Sequence, residues 1–194
     1  MIKNLILDLH GLIVKDFPVD IYIEKTKDIL SRHGSNFEDA KKECMTISAF
    51  SQKYGFRNEY LSMMDSLPVG TTKEAELDSL LENCKMDVFL ATDTSLLNAK
   101  STLKNAGINP SRFKSMKSGN DIIEPKPNEE MFQAIMEENC LEPKECLAIG
   151  DRMTDAIPAI KLGIPTIVCD HDSFIEILKR MTGYEPKRED RKEA

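Results

Sequence analysis

The 194-residue sequence is short of positive charge, of paired cysteines and of long apolar runs. Lys and Arg number 26 against 33 Asp and Glu, a net charge of −7. That balance excludes a nucleic acid polymer or an anionic membrane as the main partner. An anionic small molecule must then be met by a few local cations or by a metal. The five cysteines are odd in number, and none stands in a Cys-x-x-Cys pair. This excludes a disulfide framework and a zinc ribbon, and it points to reduced thiols in a cytoplasmic setting. No run approaches the ~20 apolar residues of a membrane span, and Asp8 interrupts the early run that a signal segment would need. What is present suffices for a core. At 41% hydrophobic and 30% charged, the chain fits one medium domain or a core carrying an inserted lobe.

Five short apolar runs bounded by turn residues read as buried parallel strands: 2–7, 88–91, 113–116, 147–149 and 166–168. Helical spacing separates the last four. Leu96, Leu97, Ala99, Leu103 and Ala106 share a face that Gly107 terminates. Met131, Phe132, Ile135 and Met136 form a second stripe, with Pro127 expected in its first turn. A third helix is expected over 155–162, with Thr154 as cap and Gly163 as stop. Such alternation predicts an α/β, doubly wound, mostly parallel sheet with ligands at the carboxyl ends of its strands.

Between residues 15 and 70 the pattern is helical throughout. Tyr22, Ile23, Ile29 and Leu30 lie on one helix face that ends at Gly34. Ser35 and Glu38 read as the capping box of a second helix reaching Ile47, and a third short helix holds Tyr60, Leu61 and Met64. Thr71 and Glu74 read as a further capping box, opening a helix with Leu77, Leu80 and Leu81. The organisation expected is a core of 1–14 and 71–184, a small all-helical cap of 15–70, and a charged, frayed tail of 185–194.

Four features fall at the expected strand ends. Asp8 follows the first strand, Thr92 the second, and Asp151 and Asp155 the fourth, while Lys126 sits in Glu-Pro-Lys-Pro before a helix. Together they hold a nucleophilic carboxylate, a hydroxyl donor, a cation and a carboxylate pair. Phosphoryl transfer to an Asp needs that inventory, and oxygen ligands suit Mg2+. Taken singly, each has a plain alternative: Asp8 a turn, Thr92 a helix cap, Lys126 a solvated charge, Asp151 and Asp155 a turn and a helix dipole. Asp170-His171-Asp172 reads as a polar loop rather than a metal cluster.

In order and spacing these segments resemble the haloacid dehalogenase-like hydrolase superfamily, in the branch whose helical cap follows the first strand. Ser66-Leu67-Pro68 and the short cap are similar to its pyrimidine 5′-nucleotidase-like group. The resemblance implies a phosphatase acting on a small phosphorylated substrate, with Asp8 as nucleophile, Lys126 in Lys-Pro-x-x-x-x-Phe, and magnesium. Asp8, the backbone carbonyl of His10, and Asp151 would hold the metal, supported by Asp155. Thr92, Asp93, Lys126 and amides from Leu9 to Gly11 would cradle the phosphate. The departure is His10, which stands where phosphatases of the family carry an acid/base Asp. An imidazole is able to do acid–base work. Three outcomes stay open for His10: a phosphatase using it as acid/base, a slow or mutase-like enzyme with a stable phosphoaspartate, and a degenerate site in a non-hydrolytic phosphate-binding or interaction protein. A carbon–halogen or carbon–phosphorus hydrolase is a further alternative. A receiver-type domain is disfavoured by the insertion and by Gly-Asp-x-x-x-Asp. The oligomeric state is left open.

Overall fold

In the computed structural model, which describes residues 1–15, 17–70 and 72–183, alternating side chains decide which helices each sheet face receives. The strands are β1 (Asn4–Leu7), β2 (Asp87–Ala91), β3 (Ser115–Lys117), β4 (Cys146–Gly150) and β5 (Thr166–Val168), all parallel in the order β3-β2-β1-β4-β5. Leu5 and Leu7 of β1 point to one face, which also receives Leu77, Leu103, Phe174 and Leu178. Ile6 points to the other, against Met131, Ile135 and Ala159. Central strands buried on both faces need the near-continuous apolar runs that the sequence shows. The α/β doubly wound expectation therefore holds. Most strand boundaries shift by one residue, and two starts move further. β1 starts at Asn4 rather than residue 2, and β3 begins two residues late because Phe113 turns into the core after a 3-10 turn at Pro110–Arg112.

The helices after β1 are α1 (Val19–Arg32), α2 (Phe37–Lys42), α3 (Ile47–Lys53) and α4 (Arg57–Asp65). They share a core of their own, with Ile29, Leu30, Phe50, Phe56 and Met64 buried together. The expected second helix is split in two, because Cys44 takes a left-handed φ of 54° and Thr46 caps a new helix. Its capping box is built by Asn36 and Asp39, not Ser35 and Glu38.

Among the described residues, four side chains tie these helices to the rest of the core. The Arg57 guanidinium donates to Ser48 Oγ and to the Gly119 carbonyl, both at 2.9 Å. The Asn98 amide donates to the Met64 carbonyl at 3.0 Å, and Ser95 Oγ donates to the Asp65 carboxylate. Thr46 Oγ1 donates to the Lys126 carbonyl at 3.3 Å.

The remaining helices are α5 (Ala75–Glu82), α6 (Leu96–Asn105), α7 (Glu130–Asn139), α8 (Met153–Lys161) and α9 (His171–Thr182). Glu74, not Thr71, stands at the cap of α5, and Thr71 lies outside the described residues. α7 begins three residues after Pro127, whose bond to Lys126 is cis. The polar stretch at 170–172 opens a helix: Asp170 caps α9 by accepting the Ser173 amide at 2.9 Å, and Phe174 and Leu178 dock on the core. The expectation for the charged tail lies outside the described residues, since it falls within 184–194. No helix among the described residues is long and apolar enough to cross a membrane.

Candidate active site

Parallel topology brings the carboxyl ends of β1, β2 and β4 side by side, and the chemistry collects there. Asp8 leaves β1, Thr92 leaves β2, and Asp151 and Asp155 flank the start of α8. Lys126 arrives from the turn before α7 and reaches Asp8 Oδ1 at 2.6 Å, Asp155 Oδ1 at 2.5 Å and the Ala91 carbonyl at 3.1 Å. Its ammonium is thereby spent on three acceptors. Asp93 lines the cavity and accepts the Lys126 backbone amide at 3.2 Å, so its carboxylate braces the lysine turn.

One oxygen from each of Asp8, Asp151 and Asp155 lies within 4.8 Å of the other two. Burial pushes Asp8 up, Lys126 pulls it down, and Asp155 and Asp151 push it up again, leaving it at about 7. Burial would lower the Lys126 ammonium, but Asp8, Asp155 and Asp93 outweigh it and hold it well above its ordinary value. Three carboxylates against one buried ammonium leave an excess of negative charge. An all-oxygen donor set with that excess fits a hard divalent cation such as magnesium. Within the set Asp155 is already engaged at both oxygens, by Lys126 and by the Arg152 backbone amide at 3.2 Å. Asp8 and Asp151 are the freer ligands. Arg152 Nε donates to Asp151 Oδ2 at 3.2 Å from a largely exposed side chain.

Two glycines make this approach possible. A Cβ on Gly11 would stand 2.2 Å from Asp151 Oδ2, and Gly11 has a φ of +88°, which side chains resist. A Cβ on Gly150 would stand 2.4 Å from the Asp155 Cβ. Gly11 also corrects an expectation. Its amide donates to the Val14 carbonyl at 2.9 Å, so it closes the turn after Asp8 and is not free for a phosphate. The Leu9 side chain lies in the core, which leaves that residue its backbone alone.

His10 borders the same cavity with both ring nitrogens shielded and without a hydrogen-bond partner among the described residues. Burial pushes its imidazole down to about 4, against the pull of Asn98. Asn98 spends its amide nitrogen on Met64, and its oxygen accepts from Thr102 Oγ1 at 3.4 Å. The His10 ring meets Phe17 edge-on, centroids 4.9 Å apart. Thr92 is buried, and its Oγ1 accepts the Thr94 amide at 3.4 Å. Thr94 was missed from sequence: its Oγ1 is buried, at the cavity and without a partner among the described residues, and only its two-residue spacing from Thr92 signals it. The cap of α6 is Ser95, so Thr92 is not spent on that task. The cavity of about 810 Å³ is floored by these groups and roofed by α1 to α4.

A sequence profile described as haloacid dehalogenase-like hydrolase matches residues 20–169. The chain belongs to the haloacid dehalogenase-like hydrolases. Its matched stretch begins after Asp8 and His10, which the sheet itself aligns with the rest. No curated protein matches the sequence. Among solved structures, CbbY from Rhodobacter sphaeroides, in complex with phosphate, gives a TM-score of 0.63 at 16% identity, covering 88% of this chain and 87% of CbbY. A haloacid dehalogenase family enzyme from Bacteroides thetaiotaomicron, in complex with magnesium and inorganic phosphate, gives 0.57 at 23% identity, covering 87% and 94%. A family member from Porphyromonas gingivalis gives 0.62 at 18% identity, covering 95% and 100%. At these identities the likeness is one of fold.

Proposed function

We propose that this haloacid dehalogenase-like hydrolase cleaves a small phosphate monoester through an aspartyl-phosphate on Asp8. The observation that carries the reading is the convergence of Asp8, Asp151 and Asp155 within 4.8 Å of one another, with the Lys126 ammonium on Asp8 and Asp155. Lys126 fixes Asp8 by Oδ1, which leaves Oδ2 to attack phosphorus. The new Asp8–phosphorus bond forms as the ester bond breaks, and the leaving oxygen takes the ring N–H proton of the neutral His10, whose other nitrogen takes one up from water. Water then attacks the phosphorus, returning the Asp8 carboxylate and releasing inorganic phosphate. Thr92 would bind the phosphoryl oxygens, with Thr94 Oγ1 as an added donor, and the Lys126 ammonium, held on Asp8 and Asp155, would offset their charge from beside them. Asp8, Asp151 and the His10 backbone carbonyl would hold magnesium, backed by Asp155, and the ion supplies the charge that lets phosphate approach a carboxylate.

The helical insertion of 15–70 serves in this reading as the cap that excludes water above the core. The free cysteines suit a cytoplasmic enzyme. Solved relatives carrying phosphate, or magnesium with phosphate, support the class of ligand. Ser66-Leu67-Pro68 supports the narrower nucleotidase-like grouping. His10 favours one second reading, a phosphate-binding protein that does not turn over.

A magnesium-dependent assay on an aryl phosphate separates the two. Wild type is expected to be active, Asp8→Asn to lose about a thousandfold or more, and His10→Ala to lose most turnover. Full activity in Asp8→Asn overturns the covalent route. An inert wild type that gains activity as His10→Asp establishes the second reading.

A further inference from the structure

The cavity wall contributed by the helical insertion is poor in usable polarity. Three cations border the cavity among the described residues: Lys41, Lys126 and Arg152. Lys126 is spent on the floor, and Arg152 lies against Asp151. Lys41 is 79% exposed at its side chain and faces Glu38 at 3.9 Å, so it adds no net charge to the wall. Arg57, the buried cation of the insertion, is turned away to Ser48 and Gly119. The hydroxyls are partly committed: Tyr22 and Tyr60 meet oxygen to oxygen at 3.5 Å, which uses one of their two O–H groups, Thr46 donates to the Lys126 carbonyl, and Ser48 Oγ accepts Arg57. What faces the cavity otherwise is apolar: Phe17, Met45, Ile47 and Met64. Phe17 carries the rings onward, tilted against Tyr22 with centroids 5.3 Å apart, and against His10 on its other side.

We infer that the leaving group of the substrate is uncharged and flat, the phosphate monoester of an aromatic alcohol, lying against Phe17 and Tyr22. The inference rests on the phosphate site proposed above and adds its specificity. A second phosphate or a carboxylate would be drawn from water with no cation to receive it. A polyol would lose its water for a wall that offers little more than one tyrosine O–H and the Ser48 O–H. A ring asks only for apolar area and an edge-to-face neighbour, which Phe17 and Tyr22 offer. This sets the chain apart from CbbY, a variant of which is solved with xylulose-1,5-bisphosphate.

The test uses binding, so that it does not depend on turnover. The full chain with magnesium is titrated calorimetrically with methylphosphonate, benzylphosphonate and phosphonoacetate. Benzylphosphonate is expected to bind about tenfold tighter than methylphosphonate, and phosphonoacetate no tighter than methylphosphonate. Tyr22→Ala should erase the benzyl gain. Ile47→Lys, at the first residue of α3, should raise phosphonoacetate affinity about tenfold. The second variant adds a charge at a half-buried site and removes no core ring. Wild type binding phosphonoacetate more tightly than benzylphosphonate overturns the inference. So does a benzyl gain that survives in both Tyr22→Ala and Phe17→Ala. A benzyl preference in a catalytically inert protein removes the hydrolase reading and keeps this one. Turnover without the preference does the reverse, and no binding of any of the three removes the phosphate site with it.

Discussion

The floor and the roof of the cavity are held by opposite physics. The floor is a knot of charge: Asp8 from the end of β1, Lys126 from the turn before α7, and Asp151 and Asp155 from the passage of β4 into α8. The roof is an apolar cluster around Leu30, Phe50 and Phe56, and its buried cation, Arg57, is held by Ser48 and Gly119. Chemistry needs the first and selectivity the second. A charge knot is costly to build and tolerates little change, whereas a packed roof tolerates repacking at constant volume.

The sharpest way to break this comparison is Lys126→Met. It leaves buried carboxylates without their ammonium, a loss of about 3–5 kcal/mol by denaturant unfolding together with the loss of activity. A change below 1 kcal/mol would mean that the knot is not what holds the floor. Leu30→Ala opens a void in the fully buried roof and is expected to cost about 3 kcal/mol. Its unfolding should still follow one transition by both circular dichroism and tyrosine fluorescence, because Arg57, Asn98 and Ser95 bind the roof to the core. Two separated transitions would show that roof and floor are independent units. Arg57→Met strips donors from the Gly119 carbonyl and Ser48, for about 2 kcal/mol. The same variant should lower kcat/KM, since α4 and the Gly119 loop lose their direct tie. Lys161→Ala, which removes an exposed pair with Glu129, should change stability by less than about 0.5 kcal/mol. A larger effect would place unexpected weight on the outer surface.

The floor was far more legible in the sequence than the roof, and the reason is topological. Parallel strands read as apolar runs, and the residue after each run must lie at one edge. Asp8, Thr92, Asp151 and Asp155 could be assembled on that rule alone, with Lys126 added by its Pro-flanked turn. The helices of the insertion were visible by period, but their breaks were not. Cys44 in a left-handed turn and the Asn36–Asp39 box follow from local backbone choices that several neighbouring residues could have made. The last helix was passed over because Asp170-His171-Asp172 looks like a loop until Phe174 and Leu178 are read with it. Which hydrogen bond the Gly11 amide makes, and which oxygen Asp155 gives to which partner, depend on contacts far apart in sequence. No periodicity reports them.

Gly11 and Asp151 occupy, in effect, one shared volume: the carboxylate sits where the glycine's side chain would have been. The two positions therefore behave as a single unit of variation, though 140 residues separate them. A change at one alters what is admissible at the other, so their double mutants should be strongly non-additive. Lengthening Asp151 to Glu finds the space already closed by the turn after Asp8. Anyone redesigning the ion preference of this site would have to begin with the turn at Gly11 and only then choose the ligand.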